Sequence, residues 1–207
     1  MARHRNARAA LLGAAERLFA ERGLAGARTE EIAATAKVNK ALLHYYFDTK
    51  DKLHRAVLEN LLEEFLTSVR PALSDPATPR AALFAYVERH FRFLREHPNY
   101  PRLFQRELMS GGPALRTLVR RYLRPVYDGL GRILRAGIRR GDFRRVDVDN
   151  TVVSLIALTV FYFAAAPVLS QIFGRDVYEE RLVTARQRAV EDFVRYALLT
   201  VPAESKR

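Results

Sequence analysis

His44 and Tyr45 lie four and five residues after Lys40, and Asn39 immediately precedes Lys40. On a helix this spacing puts an ammonium, an imidazole and a phenol near one face, a set of hydrogen-bonding groups suited to a base edge or a phosphate. Thr29 lies upstream and Lys50 downstream, each at the start of a separate predicted helix, where helix N-termini themselves attract phosphate. Ala41 and Leu42 share the stretch, and Leu42 favours contact with a thymine methyl over hydrogen bonding. The alternative is an ordinary solvated helix face. Covalent catalysis has little to work with. There is no cysteine, and the five histidines (His4, His44, His54, His90, His97) do not group as metal ligands. Glycine-rich phosphate loops and nucleophile elbows are absent too. Neither an enzyme, nor a metal site, nor a cofactor is expected.

These groups need a scaffold, and helical signals run the length of the chain. A first helix spans about Arg5 to Arg22, with Leu11, Leu12, Ala15, Leu18 and Phe19 on one broad face. Gly23 is predicted to stop it in a left-handed conformation, with Leu24 folding back on Phe19. Thr29 is predicted to cap a short second helix and Asn39 a third, Lys40 to about Phe47. The turn at Lys37-Val38 lets the two brace each other through Ile32, Ala36, Val38 and Leu43, leaving the outer face of the third free for a major groove about 12 Å wide. Thr49 caps a fourth helix carrying Leu53, Val57, Leu61, Phe65 and Val69 at four-residue intervals.

Residues Thr29-Glu-Glu-Ile-Ala33 and Val38-Asn-Lys-Ala-Leu-Leu-His-Tyr-Tyr-Phe-Asp-Thr-Lys50 closely resemble the DNA-binding region of the TetR family of bacterial repressors. The resemblance covers roughly residues 8 to 55. It implies an all-α fold: a three-helix helix-turn-helix module over residues 1–50, then a ligand-binding and dimerisation bundle over 51–207, about nine helices in all. It also implies a homodimer that binds a palindromic operator in double-stranded DNA and leaves it when a small apolar or amphipathic effector enters the body. By the same resemblance, Thr29, Tyr45 and Lys50 touch phosphate or groove, and Tyr46 and Phe47 pack the module. Three residues depart from the common pattern. Lys37 stands where many members have glycine. His44 replaces a tyrosine, which makes that contact weaker or pH-sensitive. Leu42 replaces a small polar residue.

Past the fourth helix, Pro71 to Pro79 reads as a linker. Thr78-Pro79 opens a fifth helix, which ends before His97-Pro98. A sixth covers Tyr100 to Met109 and is closed by Gly111-Gly112. Pro113 opens a long seventh ending near Gly141. The eighth begins at Asp149 and is closed by Gly174, and Asp176 with Glu179 forms a capping box for a ninth ending before Pro202. Val152 to Leu169 holds 18 residues with nothing more polar than Ser154, Thr159 and Tyr162, short for a span of about 20; a helix buried on all sides is expected instead. The body is rich in aromatics, which are either core or the lining of a cavity. For a cavity the candidate lining is Phe91, Phe104, Tyr122 and Phe163, with His90 and Thr159 orienting the ligand. On the ninth helix Leu182, Ala185, Ala189, Phe193 and Ala197 form a face for pairing across a two-fold axis with the eighth.

The net charge of +12 and pI of about 10.4 suit a polyanion. Seven arginines from Arg116 to Arg139 make the seventh helix a basic stripe, either a solvated face or a seat for an anionic ligand. Glu16 and Arg17 interrupt any export signal, and the lack of cysteine fits a reducing cytoplasm. No membrane partner is expected. Two other functions compete: a helical lipid or small-molecule binding protein without specific DNA readout, and a nonspecific architectural DNA binder.

Overall fold

The computed structural model describes residues 2–74, 78–111 and 113–200. Residues 75–77 of the expected linker, Gly112 and Pro202 lie outside them. The described residues form eleven α-helices: α1 (Ala2–Gly26), α2 (Thr29–Thr35), α3 (Lys40–Phe47), α4 (Lys50–Ser74), α5 (Pro79–Glu96), α6 (Tyr100–Ser110), α7 (Pro113–Leu118), α8 (Arg124–Arg140), α9 (Val148–Ala164), α10 (Ala166–Phe173) and α11 (Glu180–Leu198). They fall into two compact units, residues 1–64 with 97–119, and residues 65–96 with 120–207. The expected functional boundary at residue 50 falls inside the first.

In the first unit α1 packs on α2, α3 and α6, and α2 packs on α3. Leu11, Ala15 and Phe19 of α1 are fully buried, as are Ile32, Leu43, Leu53 and Leu61 from the next three helices. Asn99 donates to Glu16 at 3.1 Å and Arg106 to the Phe19 carbonyl at 3.0 Å, which ties α6 to α1. In the second unit α5 packs against α8, α9 and α11, and α10 against α9.

Caps set by local chemistry agree with expectation. The Thr49 hydroxyl accepts from the Lys52 amide at 3.2 Å and the Thr78 hydroxyl from the Ala81 amide at 3.1 Å. Gly111, Gly141 and Gly174 end their helices with φ of 60°, 77° and 66°.

Seven local expectations are corrected. Gly23 has positive φ but ψ of 175°, so it kinks α1 rather than closing it, and Leu24 is only half-buried. Arg28, not Thr29, is the N-cap of α2. α4 runs through Pro71 to Ser74, because burial of Val69, Ala72 and Leu73 outweighs the one hydrogen bond the proline removes. The long seventh helix is divided. Val119–Leu123 widens into a π-turn just before Pro125, whose missing N–H and bulky ring do not fit regular α-helical bonding. The apolar eighth helix is two: α9 and α10 meet at Ala165 with a 67° bend, and Pro167 is in the first turn of α10. It is also not buried on all sides, since Val153, Phe161, Val168 and Ile172 are exposed. Finally, Glu179 starts α11 without a side-chain cap, and Asp176 instead accepts from the Tyr178 amide at 2.9 Å. No single described helix is long and apolar enough to cross a membrane.

Candidate nucleic-acid interface

The turn between α2 and α3 places the candidate reading helix. The Val38 amide donates to the Ala33 carbonyl and the Lys37 amide to Ala34, both at 3.0 Å, the paired bonds of a Schellman ending. Lys37 takes the left-handed position with φ of 55°, at a cost of about 1 kcal/mol relative to glycine. Asn39 then starts α3, its side chain accepting from the Ala41 amide at 2.8 Å. Leu43 and Phe47 turn into the core and Tyr46 is half-buried, with Arg8 over the Phe47 ring at 5.4 Å. The opposite face is open: Asn39, Lys40, Ala41, His44 and Tyr45 are exposed, and Tyr45 shows 77% of its surface. Leu42 is half-buried at its margin. The sequence-derived set on α3 is therefore brought together on one surface.

The hydrogen bonds around this face add constraints that spacing does not reveal. Lys40 pairs with Glu30 of α2, and the Thr29 hydroxyl donates to the same carboxylate at 3.3 Å. The hydrogen bond from Lys40 holds the Glu30 carboxyl down to about 2, so it is charged at neutral pH. His44 Nδ1 lies 3.0 Å from the Asp48 carbonyl, tethering the ring to the end of α3. Lys50 donates to the Ala27 carbonyl at 3.1 Å and to the Ala25 carbonyl at 3.5 Å. Its ammonium thus secures the connection leading into α2, a contact from residues 23 to 25 positions away that local sequence did not announce.

In the second unit, His90 and Thr159 meet: His90 Nδ1 lies 3.0 Å from the Thr159 hydroxyl and 3.1 Å from the Tyr86 hydroxyl. Burial depresses the His90 pKa to about 3, so the imidazole is neutral. Phe91 and Phe163 touch edge to face with centroids 5.8 Å apart, and Tyr122 is buried beneath Arg121. Phe104 belongs to the first unit, where it stacks on Tyr100 at 5.6 Å. Tyr86 is the group missed, although its four-residue spacing from His90 was visible.

The α11 face is also open. Ala185, Ala189 and Phe193 are exposed and Leu182 and Ala197 half-buried, while Val183, Val190, Val194 and Leu198 turn inward. Phe193 and Ala197 line a groove with Ser154 and Leu158 of α9. Tyr196 of α11 and Phe161 of α9 are exposed as well. No group of three or more potential metal ligands occurs among the described residues.

Residues 11–57 match the family described as bacterial regulatory proteins, tetR family, and residues 79–194 match the tetracyclin repressor-like C-terminal domain. The HTH-type transcriptional regulator RutR of Escherichia coli is 29% identical over 171 residues, 83% of this chain and 80% of RutR. The HTH-type transcriptional repressor NicS of Pseudomonas putida is 29% identical over 174 residues, 83% of this chain and 82% of NicS. The crystal structure of FadR from Bacillus subtilis, a transcriptional regulator in complex with stearoyl-CoA, superposes with a TM-score of 0.71 at 21% identity. That match covers 89% of this chain and 96% of FadR.

Proposed function

The chain belongs to the TetR family of bacterial transcriptional regulators, which bind DNA and small effectors and are not enzymes, and from that premise we propose a specific division of labour. Residues 1–50 read a palindromic operator and residues 51–207 bind effector and form a homodimer, which acts in the cytoplasm. The exposed polar face of α3, backed by buried Leu43 and Phe47, carries this reading. Lys40, His44 and Tyr45 address base edges and phosphates, Asn39, Ala41 and Leu42 fit the groove wall, and Thr29 and Lys50 flank it. The dimer puts two α3 helices about 34 Å apart, or slightly more, to meet successive major grooves. Footprinting of the DNA upstream of its own gene tests this: one protected palindrome is expected, and equal affinity for that site and random duplex at physiological salt refutes it.

Lys50→Ala is expected to weaken binding to every sequence. The variant loses a cation near phosphate and also releases the Ala25 and Ala27 carbonyls before α2. The plot of log affinity against log salt should flatten by about one unit, read by anisotropy titration at several salt concentrations.

The effector is a small apolar or amphipathic molecule. Stearoyl-CoA in FadR supports that class, and so does the aromatic body with the neutral polar group of Tyr86, His90 and Thr159. Effector entry acts on the reading module through α4, which is one helix from Lys50 to Ser74. A 100-fold release needs about 2.7 kcal/mol of coupling, within reach of one buried apolar molecule. Phe91→Leu and Phe163→Leu should shift the effector concentration that releases operator while leaving effector-free affinity within a few-fold. Operator titration with and without effector decides it; unchanged effector response in both variants removes these residues from the site.

A further inference from the structure

Glu30 and Lys40 lie on successive helices of the reading module, and their side chains are joined. With the Thr29 hydroxyl on the other oxygen of Glu30, three groups form one chain across the entrance to α3. The second acid of α2's first turn, Glu31, is occupied differently, by Arg22 at 2.8 Å. Asp48, at the far end of α3, is held by Lys52 at 2.6 Å. The remaining exposed positions of the reading face, Asn39, Ala41, His44 and Tyr45, carry no acid. Glu30 is therefore the carboxylate that engages the reading face itself. Both partners remain in solvent, with side-chain exposures of 47% for Lys40 and 62% for Glu30, so the pair is available to DNA and contributes little to folding.

We propose that Glu30 is a specificity-determining residue for DNA reading, which directs the Lys40 ammonium toward a base-edge acceptor and disfavours phosphate on that side. The inference rests on the DNA-binding function proposed above. A free lysine is a flexible point charge that accepts any phosphate within reach. Its ammonium has three N–H donors, and a carboxylate that takes one of them narrows the directions left to the others. A guanine edge, with O6 and N7 acceptors, fills those directions while the ion pair persists. On a mismatched sequence the carboxylate faces phosphate oxygens, or the ammonium meets an edge without the paired acceptors it needs. Discrimination then comes from the penalty on wrong partners as much as from contact with the right one.

The test compares Glu30→Gln with the parent protein on two duplexes, the footprinted operator and a random sequence, across a salt series. The same pair is then measured in a Lys40→Ala background. Random-duplex affinity is expected to rise about five- to tenfold and its salt slope to steepen by about one, because Lys40 is released to a phosphate. Operator affinity should change less than two-fold, so the ratio between the duplexes shrinks. With Lys40 absent, Glu30→Gln should leave that ratio unchanged. Thermal unfolding should coincide for Glu30→Gln and parent. If Glu30→Gln tightens both duplexes by one factor in both backgrounds, Glu30 is a general surface charge and the inference is wrong. A parent protein that fails to prefer operator would remove the DNA-reading function as well, a distinct result.

Discussion

Ala189→Arg is expected to yield a folded monomer whose operator affinity is lower by at least about 100-fold, the loss that follows when two linked half-sites are no longer bound together. Ala189 lies on the outward face of α11 with Ala185 and Phe193, and the core-facing side of that helix is made by Val183, Val190 and Val194. Its side chain is in solvent in the single chain, so a longer one costs the fold itself little. Across a two-fold axis the same position changes meaning. In the proposed dimer small residues would let two α11 helices approach closely, and the exposed Val153 and Phe161 of α9 offer further apolar area. An arginine there would place a charge against apolar surroundings in that dimer. Sedimentation gives the mass, circular dichroism the fold, and anisotropy the affinity. An intact dimer under these conditions shows that the pairing face lies elsewhere.

Gly137→Ala should lower the melting temperature by about 4–8 °C, corresponding to about 2 kcal/mol in a protein of this size. A Cβ built at Gly137 would stand 2.1 Å from Phe143 Cδ2 and 2.8 Å from its Cγ. Phe143 is 2% exposed, so the ring has no free space into which it can swing. Alanine in a helix interior normally gains up to about 1 kcal/mol over glycine, and here overpacking outweighs that gain. The damage would spread along a local clasp. The Asp142 and Phe143 amides both donate to the Gly137 carbonyl, the Arg144 amide donates to Leu198 at 2.9 Å, and Phe143 bridges to Leu199. The end of α11, next to the proposed dimer face, is held by these bonds. Gly13→Ala is the control: it is helical with nothing within 4 Å of its Cβ, and should melt at or above the parent temperature. Equal melting of the two variants would mean that the ring does not press on Gly137.

What the sequence determined by itself was the part of the fold governed by neighbours within a turn or two. Asn39, Thr49 and Thr78 cap helices because a side-chain oxygen reaches an amide two or three residues on. Gly111, Gly141 and Gly174 end helices because they enter left-handed space without a steric penalty. The α2–turn–α3 pattern needs only this short-range chemistry, so Lys40, His44 and Tyr45 were legible as one face. Tertiary packing decided the rest. Burial carried α4 through Pro71, whereas Pro125 and Pro167 lie where the helix widens or bends. Lys50 found carbonyls more than twenty residues upstream, and His90 found Thr159 at a separation of 69 residues. Phe104, one aromatic among many in the sequence, was drawn into the first unit by a helix that packs on α1. Helical periodicity says that a side chain faces inward, but the partner it meets depends on how distant helices pack, and that information is not contained in any short window of residues.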